Sequence, residues 1–147
     1  MDGLAIRKAD AADADFTFAV KEAAFREYVE KVWGWDGADQ RELHELRFAS
    51  QDVRIIQFRG TDVGYLSTSS FADAVRVHQI FILPEYQRKG IGSACMRLIV
   101  SDARAQKKVV RLQVLKINTR ATAFYGRLGF KIVDEDNTHV QMVKLTG

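Results

Sequence analysis

An apolar run from Val77 stops at Pro84, the only proline in the chain, and Gln87-Arg88-Lys89-Gly90-Ile91-Gly92-Ser93 then leads into a segment of helical period. A strand that passes through glycines into a helix makes an anion site. The N–H groups of a first helical turn lack intrahelical partners and lie at the positive end of the helix dipole, and glycine lets a ligand approach them closely. Each charge-assisted N–H···O bond contributes roughly 1.5 to 3 kcal/mol, against about 0.3 to 1 for the dipole. Several amides together therefore outrank Arg88 as the source of binding. The pairs Arg88-Lys89 and Lys107-Lys108 suit a small polyanion, with solvated surface as the competing reading.

The identity of the phosphate ligand is narrowed by what the segment lacks. Cys95 stands where a dinucleotide fingerprint needs its third glycine, no acidic residue follows near the ribose position, and there is no phosphate-loop lysine. A second pattern lies downstream: Asn118, Ala121, Phe124-Tyr125 and Gly129-Phe130. Gln87, Gly90 and Gly92 resemble the acyl-CoA-binding motif of the GNAT N-acetyltransferase superfamily, and the downstream group is similar to that family's second signature. The resemblance covers nearly the whole chain and is strongest from Val75 to Phe130.

That resemblance implies acetyl-CoA as co-substrate, an amine as acceptor, and a role for each matching residue. The backbone of Gln87, Arg88, Lys89, Gly90, Ile91, Gly92 and Ser93 would hold the pyrophosphate. Ile80, Phe81, Ile82 and Leu83 would pair with the pantetheine amides like an added strand. The Ile82 amide would stabilise the oxyanion formed when the amine attacks the thioester. Asn118, beside Ala121 and Phe124, would contact the cofactor arm or hold a water; the alternative is a loop asparagine before a helix. Tyr125 would protonate the departing thiolate, a phenol near pKa 10 giving a proton to a thiolate whose thiol is near 8.5; the alternative is a packed aromatic beside Phe124.

The acceptor's own proton needs a base. Many members of the family carry a glutamate on the strand before the cofactor turn, where this chain has His78 and Gln79. His78 is the candidate base, a histidine on a sheet face being the competing reading. Trp33-Gly34-Trp35-Asp36 offers two indoles and a carboxylate to a cationic acceptor, or two indoles to the packing between helices and sheet. His44 and His139 show no spacing that suggests a metal or a nucleophilic triad, and no metal site is expected.

The elements that must position these groups follow from period and punctuation. Leu4–Arg7 reads as a strand, and Asp10 caps a helix to about Lys31 with Phe18, Phe25, Val29 and Val32 on one face. Asp39 and Glu42 form a capping-box pattern for a second helix over Gln40 to about Ala49, with Leu43 and Leu46 inward. Val53–Phe58, Val63–Thr68 and Val75–Leu83 read as an antiparallel meander. From Gly90 a helix follows with Ile91, Ala94, Cys95, Leu98 and Ile99 on its buried stripe. Val109–Leu115 is a strand, Arg120–Leu128 a helix stopped by Gly129, and Phe130–Asp134 with Val140–Leu145 a last hairpin. The expected fold class is α/β, with a central mixed, mostly antiparallel sheet of about seven strands flanked by four helices, as in GNAT acyltransferases.

With 147 residues, 47% hydrophobic and 28% charged, the chain is expected to form one domain, residues 1–147. The net charge of +3 is dispersed, which argues against a nucleic-acid partner. Residues 1–12 do not resemble a secretory signal, and nothing approaches the roughly 18 apolar residues of a membrane span, so no membrane partner and a cytoplasmic location are expected. The lone Cys95 reads as core rather than nucleophile. The reading is an acetyl-CoA-dependent N-acetyltransferase acting by direct attack in a ternary complex. A non-catalytic acyl-CoA-binding domain of the same fold is its alternative. The sequence does not choose the acceptor or the oligomeric state, with a homodimer left open.

Overall fold

A computed structural model describes residues 1–146. The elements run β1 (Leu4–Lys8), α1 (Ala14–Trp33), α2 (Gly37–Ser50), β2 (Asp52–Phe58), β3 (Thr61–Ser70) and β4 (Ala74–Ile82), then α3 (Ile91–Ala105), β5 (Val109–Leu115), α4 (Thr119–Arg127), β6 (Lys131–Glu135) and β7 (His139–Lys144). This is the expected order. The strands form a seven-stranded sheet in the order β1-β2-β3-β4-β5-β7-β6, with four helices. The chain divides into two units, Met1–Thr68 with Gln79–Gly92, and Ser69–His78 with Ser93 onward.

In the first unit, β1 pairs with β2 and β2 with β3, both antiparallel. The β2–β3 turn uses two residues, Arg59 (φ 52°) and Gly60 (φ 81°), and positive φ at both central positions is the type I′ geometry that matches strand twist. Val20, Val53, Ile55 and Tyr65 form a core cluster, with Phe16, Phe48, Phe81 and Leu83 packed against it.

The helix starts differ from expectation. Asp10 caps a short 3-10 turn, Ala11–Asp13, through a reciprocal pair of bonds with Asp13, and α1 begins only at Ala14. Helix α2 begins at Gly37, and its N-cap is Asp36, whose carboxylate accepts from the Asp39 amide at 3.1 Å. The inward face of α2 is also rotated. Leu43 and Leu46 are 38% and 64% exposed, while His44 is buried. The reason is a specific bond: His44 Nε2 lies 2.8 Å from Thr17 Oγ1, which itself donates to the Ala14 carbonyl. The threonine proton being committed, Nε2 of His44 donates and the ring is neutral; burial and the nearby Lys21 push its pKa down to about 4.

Lys21 is 1% exposed, and burial, aided by repulsion from Arg47, pushes its ammonium down to about 8 from 10.5. A base whose pKa is lower in the folded than in the unfolded state weakens the fold when protonated. That cost is full below about pH 8 and is relieved as pH rises toward 10.5. The Lys21→Met variant is therefore expected to be more stable than the parent at pH 7, by on the order of 3 kcal/mol, with the difference shrinking between pH 8 and 10. Urea unfolding of both proteins across that range checks it; a difference independent of pH would contradict it.

In the second unit, β4 pairs with β5 in parallel from Ala74↔Val109 to Val77↔Leu112, and β5-β7-β6 are antiparallel. The buried residues of α3 are Ile91, Cys95, Met96 and Ala103; of the expected stripe Ile91 and Cys95 are buried and Ala94 and Ile99 half-buried, while Leu98 is 49% exposed. Helix α4 ends as its sequence indicates. Gly129 has φ +91°, its amide bonds the Gly126 carbonyl and that of Phe130 bonds Tyr125, which is the Schellman stop.

Candidate active site

The Gln87–Gly92 turn, expected to meet the cofactor, lies within the first unit. Strand β4 runs to Ile82, and Pro84–Tyr86 forms one 3-10 turn, with the Tyr86 amide donating to the Leu83 carbonyl and that of Gln87 to Pro84. Arg88 (φ 64°) and Gly90 (φ 83°) then take left-handed backbone before α3 begins at Ile91. Alternation of right- and left-handed residues is the backbone pattern of anion-binding nests. Gln87, Arg88, Lys89 and Gly90 are all exposed. The first turn of α3 carries no acidic residue, so nothing there competes with an incoming phosphate.

The Gln87 side chain has a use that the motif does not reveal: its Nε2 donates to the Ile82 carbonyl at 2.9 Å. It ties the turn to the strand end. The Leu83 amide donates to Val63 at 2.8 Å, so residues 81 and 83 direct their backbone groups to β3, and alternation sends those of Ile80 and Ile82 to the opposite edge. Of the four residues expected to meet pantetheine, Leu83 thus has its amide engaged with β3, and Ile82 its carbonyl with Gln87. The Phe81 side chain packs 4.9 Å from the Phe25 ring and 5.8 Å from that of Tyr65, and belongs to the core.

Gly64, which sequence reasoning missed, lets the strand end lie where it does. A Cβ there would come within 2.2 Å of the Phe81 carbonyl oxygen and 3.1 Å of the Ile82 Cα. The register between β2 and β3 also shifts beside it, between Ile56 and Gln57. A lone glycine inside an otherwise β-rich run is the signal of such an approach.

The second unit positions Tyr125. Its ring packs edge-on to Phe124 at 5.0 Å and to Phe130 at 5.6 Å, and the α4 stop holds Phe130 in place through the bond to Tyr125. The hydroxyl makes no hydrogen bond among the described residues, and burial pushes the phenol above its ordinary value. It is neutral and uncommitted. Asn118 caps α4, its Oδ1 accepting from the Ala121 amide at 3.1 Å, so that oxygen is engaged in shaping the helix. His78 is half-buried, with Nε2 2.7 Å from Ser69 Oγ. The side chain of Gln79, next along β4, accepts from the Tyr65 hydroxyl at 2.9 Å.

The tryptophan segment is engaged internally. Arg26 lies over the Trp35 ring at 5.4 Å and Phe18 stacks on it at 6.2 Å, while Asp36 caps α2. An acceptor cation at Trp35 would have to displace Arg26. Trp33 is 59% exposed. Cys95 has no exposed surface and burial pushes its thiol up to about 11, which removes it as a nucleophile at neutral pH. Among the described residues no cluster of three or more metal-ligating side chains occurs, and no helix is long and apolar enough to cross a membrane.

Residues 13–130 match the Acetyltransferase (GNAT) family. An uncharacterized N-acetyltransferase of Methanocaldococcus jannaschii is 29% identical over 90 residues, 60% of this chain and 40% of that protein. Another, from Archaeoglobus fulgidus, is 29% identical over 87 residues, 58% of this chain and 59% of that one. The chain thus aligns with less than two thirds of the length of each. The PaiA N-acetyltransferase of Thermoplasma acidophilum, solved in complex with coenzyme A, superposes with a TM-score of 0.80 over 97% of this chain and 98% of that one, at 17% identity. At that identity the likeness is one of fold.

Proposed function

The chain belongs to the acetyltransferase (GNAT) family, and we propose that it transfers the acetyl group of acetyl-CoA to a primary amine of a small molecule or peptide. The observation that carries this reading is the Gln87–Gly92 turn: left-handed at Arg88 and Gly90, latched to the strand end through Gln87, and followed by a helix start without acidic residues. The coenzyme A complex of the PaiA protein supports the same ligand here.

The reaction is direct attack. The amine lone pair adds to the thioester carbonyl carbon, the carbonyl electrons move to oxygen, and the Ile82 amide is assigned to that oxyanion. Collapse re-forms the C=O bond and breaks C–S. The thiolate takes the proton of the Tyr125 phenol, and the proton lost from the acceptor nitrogen goes to the His78 imidazole, directly or through water. Cys95 being buried with a raised pKa, no acyl-enzyme on it enters the scheme.

A screen of primary amines, following release of the free CoA thiol and identifying acetylated products by mass, tests the reading. At least one amine is expected to turn over well above the rate of thioester hydrolysis. Tight acetyl-CoA binding with no amine-dependent release would instead establish the non-catalytic cofactor-binding domain.

A further inference from the structure

The second unit also contains a cavity of about 350 Å³. Its rim carries four cationic side chains: Arg97 and Arg104 from α3, Arg127 from the end of α4, and Lys144 from β7. Ser101 adds a hydroxyl, and Met96, Val100, Leu128 and Phe130 supply an apolar lining. No aspartate or glutamate lines it. At about 1.5 Å per residue, Arg97 and Arg104 lie roughly 6 and 17 Å down α3 from Ser93.

Two of these cations have a defined position. Arg104 Nε donates to the Thr146 carbonyl at 2.8 Å, which fixes that guanidinium. The Lys144 ammonium lies over Gly129, where a Cβ would come within 2.6 Å of Nζ. The glycine that stops α4 therefore also makes room for the charge. Arg97, Arg127 and Lys144 form no ion pair among the described residues. Four like charges around one concavity repel one another, and a concavity lined by one sign concentrates counter-ions. The size is that of a small-molecule site, and guanidinium pairs match the oxygens of a phosphate.

We propose that this cavity is a second ligand site, which binds a phosphate monoester with a compact apolar body. The dianion offsets two of the four positive charges on the rim, and the body lies against the half-buried Val100 and Leu128 side chains. The site requires no catalysis by the protein.

The test uses phenyl phosphate as probe, titrated calorimetrically into the full chain saturated with coenzyme A. Binding is expected, tighter than for inorganic phosphate, which lacks the ring, and tighter than for benzoate, which carries one charge. The paired substitutions Arg97→Gln and Arg127→Gln, both at exposed positions, are expected to weaken it by about 10- to 100-fold. Circular dichroism and melting confirm that the variant is folded; should it not be, Lys144→Gln serves instead, with a smaller loss. Equal affinity in the folded variants overturns the site. So does competition between coenzyme A and phenyl phosphate, which would make the cavity part of the cofactor site. Benzoate binding as well as phenyl phosphate removes the phosphate assignment, and charge-dependent binding of a DNA duplex without binding of phenyl phosphate replaces it with a nucleic-acid contact.

Discussion

Replacing Tyr125 by phenylalanine is expected to lower kcat by about 10²- to 10⁴-fold while leaving affinity for acetyl-CoA nearly unchanged. The substitution removes one oxygen and keeps the ring that packs on Phe124 and Phe130. Because the hydroxyl makes no hydrogen bond among the described residues, the fold loses no internal bond with it. The raised phenol pKa bears on the chemistry in two ways. It keeps Tyr125 protonated through the working pH range, so an alkaline fall in rate below about pH 10 belongs to another group. It also makes the proton harder to give up, unless the receiving thiolate is disfavoured by the same burial. Cys95 shows how far burial moves a thiol in this protein, to about 11, and a CoA sulfur enclosed near the phenol would be raised in the same direction. Steady-state kinetics across pH, with calorimetric titration of acetyl-CoA, tests the assignment. A variant with the parent's kcat would remove Tyr125 as the acid, and one that loses only affinity would make it a binding residue.

The element order was legible because its punctuation is local. Gly129 signals the end of α4 through a backbone conformation that glycine adopts most easily, and Val109–Leu115 is bounded by polar residues on both sides. The helix starts were harder, since Asp10, Asp13, Asp36 and Asp39 are all competent caps, and tertiary packing selected among them. The phase of α2 was ambiguous for a similar reason. Leu43 and Leu46 offer one face, His44 and Arg47 the adjacent one, and the choice rests on a hydroxyl 27 residues away on α1. Motif spacing pointed to the turn and to Tyr125, whose local backbone depends on neighbours close in sequence. It could not reveal that Gln87 reaches back to Ile82, that Gly64 lies under the Phe81 carbonyl, or that Arg26 already covers Trp35.

The variant Gly92→Asp separates the anion site from the stability of the helix that forms it. Gly92 lies in the first turn of α3. An aspartate there interacts favourably with the helix dipole, by about 0.3 to 1 kcal/mol, and costs less backbone entropy than glycine, so the helix itself should be no weaker. A bound pyrophosphate meets the opposite situation. The new carboxylate occupies the same positive end, adds bulk where the ligand must approach the backbone, and repels its charge. Affinity for coenzyme A is expected to fall by at least about 100-fold, since two or more charge-assisted bonds are lost or opposed, while the melting temperature holds or rises slightly. Gly126→Ala is the control, because a Cβ at Gly126 meets nothing within 4 Å, and its affinity should match the parent's. Calorimetric titration of coenzyme A into the three proteins reads the result. A folded Gly92→Asp variant with the parent's affinity would remove the α3 start from the cofactor site, and a loss of affinity matched by a loss of melting temperature would assign Gly92 to the fold.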